Sequence, residues 1–138
     1  MKKYVSLILL STVLMLSACS RGEDDKLNEY LNEETSYDIS TKYNVGVVNI
    51  DIPMVNIGEE DVQNETLILI TAVKSYPREK LNLFDEVNLH FFEKDTEKTV
   101  AEVQVKGNTL METDWKNLRS FTDIPDHVDS YDYKWDHK

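Results

Sequence analysis

Two eight-residue stretches, EVNLHFFE (86–93) and TVAEVQVK (99–106), alternate apolar and polar side chains and flank the polar turn KDTEK. Successive strand residues point to opposite sides, so this period-two pattern specifies a β-hairpin with one apolar and one polar face. Val87, Leu89 and Phe91 share the apolar face of the first strand, and Ala101, Val103 and Val105 that of the second. A two-stranded ribbon cannot bury such a face alone, so the chain must supply further strands and a covering layer of helices. Asn88, His90 and Phe92 point the other way.

The remaining segments are read against that constraint. DDKLNEYLNEE (24–34) sets Leu27, Tyr30 and Leu31 at helical spacing behind acids that suit a helix N-terminus. YNVGVVNIDIPMVNI (43–57) reads as a strand whose alternation changes parity near Gly46, as at a bulge, and Pro53 marks an edge or a strand end. GEEDVQNE (58–65) reads as a polar turn, and the unbroken apolar run TLILITAV (66–73) as a central strand covered on both faces. SYPREKLNLF (75–84) carries Pro77 where a short helix can begin, and METDWKNLRSF (111–121) predicts a last helix capped by Thr113. In HVDSYDYKW (127–135) the rings of Tyr131, Tyr133 and Trp135 alternate with polar residues, as in an exposed edge strand. The expected fold is α+β: a four- to five-stranded, mainly antiparallel sheet with short helices on one side.

The N-terminus addresses location instead of fold. MKKYVSLILLSTVLMLSAC begins with Lys2 and Lys3, continues through an apolar run from Tyr4 to about Met15, and ends at the chain's single cysteine. A membrane-crossing helix needs ~20 apolar residues, more than this run offers before the polar SRGEDDK, whereas a positive start, a short apolar run and small residues make an export signal. Leu16, rather than a small residue, stands two places before Ala18, so an A-x-A cleavage site is not matched.

Leu16-Ser17-Ala18-Cys19 instead resembles the lipobox of bacterial lipoprotein precursors, which runs leucine, small residue, Ala or Gly, cysteine. The resemblance implies that the Cys19 thiol receives a diacylglyceryl group, that cleavage follows Ala18, and that the freed Cys19 amine can be acylated in turn, with chains such as palmitate. It implies residues 1–18 as signal peptide and a mature chain on the outer side of the cell membrane; composition then gives 19–26 as lipidated cysteine and short polar tether, and length gives 27–138 as one small domain. The membrane is then a partner through covalent lipid, and with the sole thiol committed, the domain's stability rests on its core instead of disulfides.

Charge narrows the partners. The chain carries 26 Asp and Glu against 15 Lys and Arg, a formal charge of −11, and loss of Lys2 and Lys3 makes the balance more negative. The balance argues against nucleic acid, which requires clustered basic residues, and disfavours lying flat on an anionic bilayer. The partner expected is a protein at the membrane surface.

No serine lies in a G-x-S-x-G or S-x-x-K setting, no glycine-rich phosphate loop is present, and no cofactor is implied. His90 is read as a surface or interfacial histidine. The alternative function is metal handling or hydrolysis by the acidic C-terminal segment, where Asp126, His127, Asp129 and His137 are the candidate ligands; their spacing follows neither an EF-hand nor a zinc-helix plan. The other candidate site is a binding surface made of Tyr131, Tyr133 and Trp135.

Overall fold

The computed structural model describes residues 22–77 and 84–135. Strands β1 (Ser40–Asn44), β2 (Val47–Met54), β3 (Glu86–Glu93), β4 (Thr99–Lys106) and β5 (Ser130–Tyr133) form one sheet in the order β1-β2-β3-β4-β5. All neighbours are antiparallel except β2 and β3, which are parallel. Helix α1 (Gly22–Glu34) precedes the sheet, α2 (Glu59–Ser75) links β2 to β3, and α3 (Gly107–Glu112) follows β4. Two 3-10 turns, at Trp115–Asn117 and Phe121–Asp123, and α4 (Ile124–His127) then lead into β5. The α+β reading with a mostly antiparallel sheet is therefore met, and the β3–β4 hairpin falls where the alternation put it.

The largest departure is α2. The run read as a central strand is the second half of a 17-residue helix, and the supposed polar turn before it is the first. Val62, Thr66, Leu69, Ile70 and Val73 recur at helical spacing and are buried, while Leu67, Ile68 and Thr71 fill the helix flanks and hide that period. Glu59, Glu60 and Asp61 in the first turn meet the positive end of the helix dipole. Parallel neighbours need a crossover connection, and α2 provides it.

The parity change near Gly46 is a hairpin turn instead of a bulge. Val45 (φ 46°) and Gly46 (φ 81°) both adopt positive φ, as the twist of a two-residue hairpin loop requires. Gly46 suits the position twice, since its carbonyl accepts the Asp85 N–H at 2.7 Å and an added Cβ would stand 2.4 Å from the Asp85 carboxylate. Val45 does not suit it: for an L-residue with a Cβ this backbone costs roughly 1–2 kcal/mol. Pro53 lies one residue from the end of β2, beyond the last β1 pair, as a strand-end proline should.

Helix α1 starts at Gly22, so Gly22–Lys26 of the expected tether are helical, and the rest of it lies outside the described residues. Leu27 and Leu31 enter the core, and two amides seal the outer edge of β1: Asn28 Oδ1 accepts the Thr41 N–H at 2.9 Å, and Asn32 exchanges hydrogen bonds with both backbone groups of Ile39. Capping an edge in this way prevents strand pairing with another chain. The predicted helix at 111–121 is absent. Thr113 closes α3 at its C-terminus, and Trp115 is buried in a 3-10 turn with its indole N–H on the Leu110 carbonyl at 2.9 Å. Most of the short helix predicted at 75–84 lies outside the described residues.

The core fills the space between the helices and one sheet face, with Val48, Ile50, Ile52, Met54, Val87, Leu89, Phe91, Val103 and Val105 all buried. Two polar groups inside it are testable. The Thr41 hydroxyl is buried with no hydrogen-bond partner, so Thr41→Val is expected to stabilise the domain by about 1 kcal/mol, read from chemical denaturation. Glu65 is buried on α2, accepts a hydrogen bond from the Thr35 hydroxyl, and is pushed above its usual range by burial. The folded chain then holds a proton that the unfolded chain has released, so stability falls as pH rises from the ordinary carboxylate value through the raised one. Glu65→Gln is expected to raise the melting temperature by a few degrees at pH 7 and to leave it nearly unchanged near pH 4.

Candidate functional site

All described helices pack on one side, so the polar face of the sheet is uncovered. Strand register arranges that face in rows. One runs Ser40, Asp51, His90, Glu102, Asp132 from β1 to β5; the next runs Lys42, Asn49, Asn88, Gln104, Ser130. Between them lies an open depression of about 490 Å³, floored by strands and lined by Asn49, Asp51, Asn88, His90, Glu102 and Gln104.

The side chains in it are held by one another. Asn88 Nδ2 donates to Asn49 Oδ1 at 3.1 Å and to Glu86 Oε1 at 2.8 Å, and Gln104 Nε2 donates to the same Glu86 oxygen at 2.9 Å. Those two amide bonds, the Asn88 bond first, hold the Glu86 carboxyl below its usual range. Lys134 donates to Glu102 at 2.9 Å, which lowers the Glu102 carboxyl and raises the lysine. Both carboxylates are thus ionised at neutral pH, and the amides are oriented before any ligand arrives. Preorganisation of this kind reduces the cost of binding.

His90 sits at the centre. Its Nδ1 lies 3.1 Å from Asp51 Oδ1, its Nε2 lies 3.1 Å from Thr99 Oγ1, and its ring stacks on Phe92 at 5.7 Å. A register shift between Phe91 and Phe92 on β3 pairs Phe92 with Thr99 and brings the Thr99 hydroxyl beside the imidazole. Carboxylate, imidazole and hydroxyl in sequence have the connectivity of a nucleophile relay. The setting does not match, because the His90 and Asp51 side chains are 40% and 48% exposed on an open strand surface, whereas transition-state stabilisation depends on a water-excluded site. The same exposure makes the pair a weak source of stability. What the face presents is a flat ring, two fixed carboxylates and a set of amide donors and acceptors.

The sequence-predicted C-terminal candidates go elsewhere. Tyr131 and Tyr133 lie opposite Val103 and Ala101, on the helix-covered side of the sheet. The Tyr133 hydroxyl donates to the Ile57 carbonyl at 2.8 Å and that of Tyr131 reaches Glu59 at 3.4 Å; burial raises both phenols above their usual range, and acids on α2 add to the shift. Trp135 is half-buried against the core with the Lys98 ammonium 5.0 Å from its ring centroid. The outward side chains of β5 are Ser130 and Asp132.

Asp126 and His127 are exposed on α4, and Asp129 ties β4 to α3 by accepting from the Lys106 N–H at 2.6 Å and the Thr109 hydroxyl at 3.2 Å. His137 lies outside the described residues. Among the described residues, no three His, Cys, Asp or Glu side chains come together to hold a metal ion, and no helix is long and apolar enough to cross a membrane.

Sequence reasoning placed His90, Asn88 and Phe92 on the outward side but missed Asp51, Thr99 and Glu102 as their neighbours. The period-two pattern marks Asp51 and Glu102 as outward but puts Thr99 with Ala101, Val103 and Val105 on the apolar side, and it is the register shift at Phe92 that turns Thr99 out; only the register between strands tells which stand together. Compared with protein-family models, curated proteins and solved structures, the chain matches none.

Proposed function

We propose that this chain is a lipid-anchored extracytoplasmic binding module, that its working surface is the uncovered sheet face around His90, and that its partner is a protein at the membrane surface. The observation that carries the reading is the bonded polar array of Asn49, Asp51, His90, Asn88, Glu86 and Gln104 on a face that no described helix covers. A broad, shallow face suits a protein surface better than a small molecule, which is usually held in a concave and mostly apolar pocket. The ionised Glu86 and Glu102 favour a partner that brings cationic groups and hydrogen-bond donors. The lipobox at Leu16-Ser17-Ala18-Cys19 supports the placement at the membrane.

The test is photo-crosslinking in intact cells, with the reactive residue introduced in place of Asn88 on the face or of Asn64 on the exposed side of α2. One dominant partner captured from position 88 and not from position 64 is expected, with capture weakened by Glu102→Lys. Equal capture from both positions, or none from either, would overturn the reading. A second, hydrolytic reading rests on the Asp51–His90–Thr99 alignment and not on the acidic C-terminal segment expected from the sequence. It predicts ester cleavage abolished by His90→Ala, and the binding reading predicts no turnover for that variant to abolish.

A further inference from the structure

The two ends of the sheet differ in a way that the binding face does not explain. Asn28 and Asn32 of α1 meet Thr41 and Ile39 respectively, so helix and strand run antiparallel and the start of α1 points the same way as the β1–β2 turn. From the Asn28–Thr41 contact, six helical residues lead back ~9 Å to Gly22 and four strand residues lead on ~13 Å to Val45, so the two stand nearly level. The end of α2 and the start of α3 are there too, since Lys74 Nζ donates to the Thr113 carbonyl at 2.8 Å and Gly107 N–H to the Asp85 carbonyl at 2.7 Å.

Val45 at this end combines three unfavourable properties for a residue in water: it is apolar, 87% exposed, and β-branched in the left-handed region. Backbone strain that a domain retains at an exposed site points to use of the site. Met111, 52% exposed, projects from the neighbouring α3. Apolar exposure does not by itself choose between the ends, because Val55 at the opposite end is 69% exposed. Charge does choose. Val55 stands where Glu59, Glu60 and Asp61 open α2 and where Glu93, Asp95 and Glu97 outnumber Lys94 and Lys98 at the β3–β4 turn. At the Val45 end, among the described residues, Lys26, Lys42, Lys74 and Lys106 nearly balance Asp25, Asp85, Glu86, Glu112 and Asp129.

We infer that the end carrying Val45 and Met111 rests on the bilayer, with the Val45 turn dipping into the lipid headgroup region and the acidic end turned away. The inference rests on the proposed lipid anchor at Cys19. Three residues span at most roughly 11 Å, so a lipidated Cys19 holds the start of α1, and with it the Val45 turn, against the membrane. An anionic surface repels the acidic end and tolerates the lysine-bearing one. The strands then stand upright on the bilayer, and the polar face looks sideways toward whatever else is anchored beside it.

The test uses full-length protein purified from cell membranes and reconstituted in phosphatidylcholine–phosphatidylglycerol vesicles that contain a lipid with a nitroxide on its headgroup. Val45→Cys, Met111→Cys, Val55→Cys and Asp95→Cys are each labelled with an environment-sensitive fluorophore; a lipidated Cys19 has no free thiol to compete. Quenching several-fold stronger at positions 45 and 111 than at 55 and 95 is expected, with a blue-shifted emission at 45. The intact mass reports the lipid on Cys19 separately. A lipidated protein quenched equally at all four positions, or more strongly at 55, overturns this inference and leaves the anchor standing; an unmodified Cys19 overturns both.

Discussion

Replacing Cys19 by serine is expected to abolish maturation altogether. The unaltered chain should begin at residue 19, carry the added mass of a diacylglyceryl group, and partition with membranes; Cys19→Ser should keep residues 1–18 and gain no lipid. The expected effect is all-or-none because the proposed lipid would be attached through sulfur, and a serine hydroxyl does not replace the thiolate as nucleophile. It is also large in energy. Each buried CH₂ contributes ~0.8 kcal/mol, and a second acyl chain separates durable anchoring from the marginal binding of one. Intact mass and N-terminal sequencing decide the matter, and a Cys19→Ser protein cleaved normally after Ala18 would remove the lipobox reading.

The proposed anchor and the fold account for different parts of the sequence. Nothing in residues 1–19 contributes to the pattern that makes the sheet, and nothing in the sheet requires a cysteine. What would link them is distance: α1 begins only three residues after Cys19, so a domain carrying the proposed lipid there would have little freedom to tumble. On the proposed reading, a partner of the His90 face would approach along the membrane, as a protein that is itself held there would.

The hairpin β3–β4 was legible because its information is local: alternation, a polar turn, and neighbours a few residues apart. The identity of α2 was hidden because Leu67, Ile68 and Thr71 make its flanks as apolar as its buried side, so the run carries no visible period. Length would have distinguished the two readings had Glu59–Glu65 been joined to the run, since acids before an apolar stretch are a helix-start signal as well as a turn signal. That single error also concealed the site. With the apolar run taken as a central strand, β2 and β3 were not assigned as neighbours; with a helix in its place they become parallel partners, and Asp51 comes opposite His90. The C-terminal tyrosines alternate as an edge strand should, but alternation does not say which face is inward, and their hydroxyls find Ile57 and Glu59 only once α2 lies above them.

The two adjacent phenylalanines of β3 offer the sharpest check on this division of faces. Phe91 is fully buried between the sheet and the helices, whereas Phe92 points outward and stacks on His90. Phe91→Ala removes a large side chain from a closed core and is expected to cost about 3–5 kcal/mol, a large share of the ~5–15 kcal/mol that holds a domain of this size together. Phe92→Ala leaves no internal cavity and should cost about 1 kcal/mol or less, in line with other exposed substitutions. Its effect belongs to the site: without the ring beneath it the imidazole is free to turn from Asp51 and Thr99, and capture of a partner through position 88 should fall while the fold persists. Chemical denaturation separates the two variants directly. Equal stability losses would mean that the outward face is itself packed against something, and the polar array would then be an interior surface instead of a recognition surface.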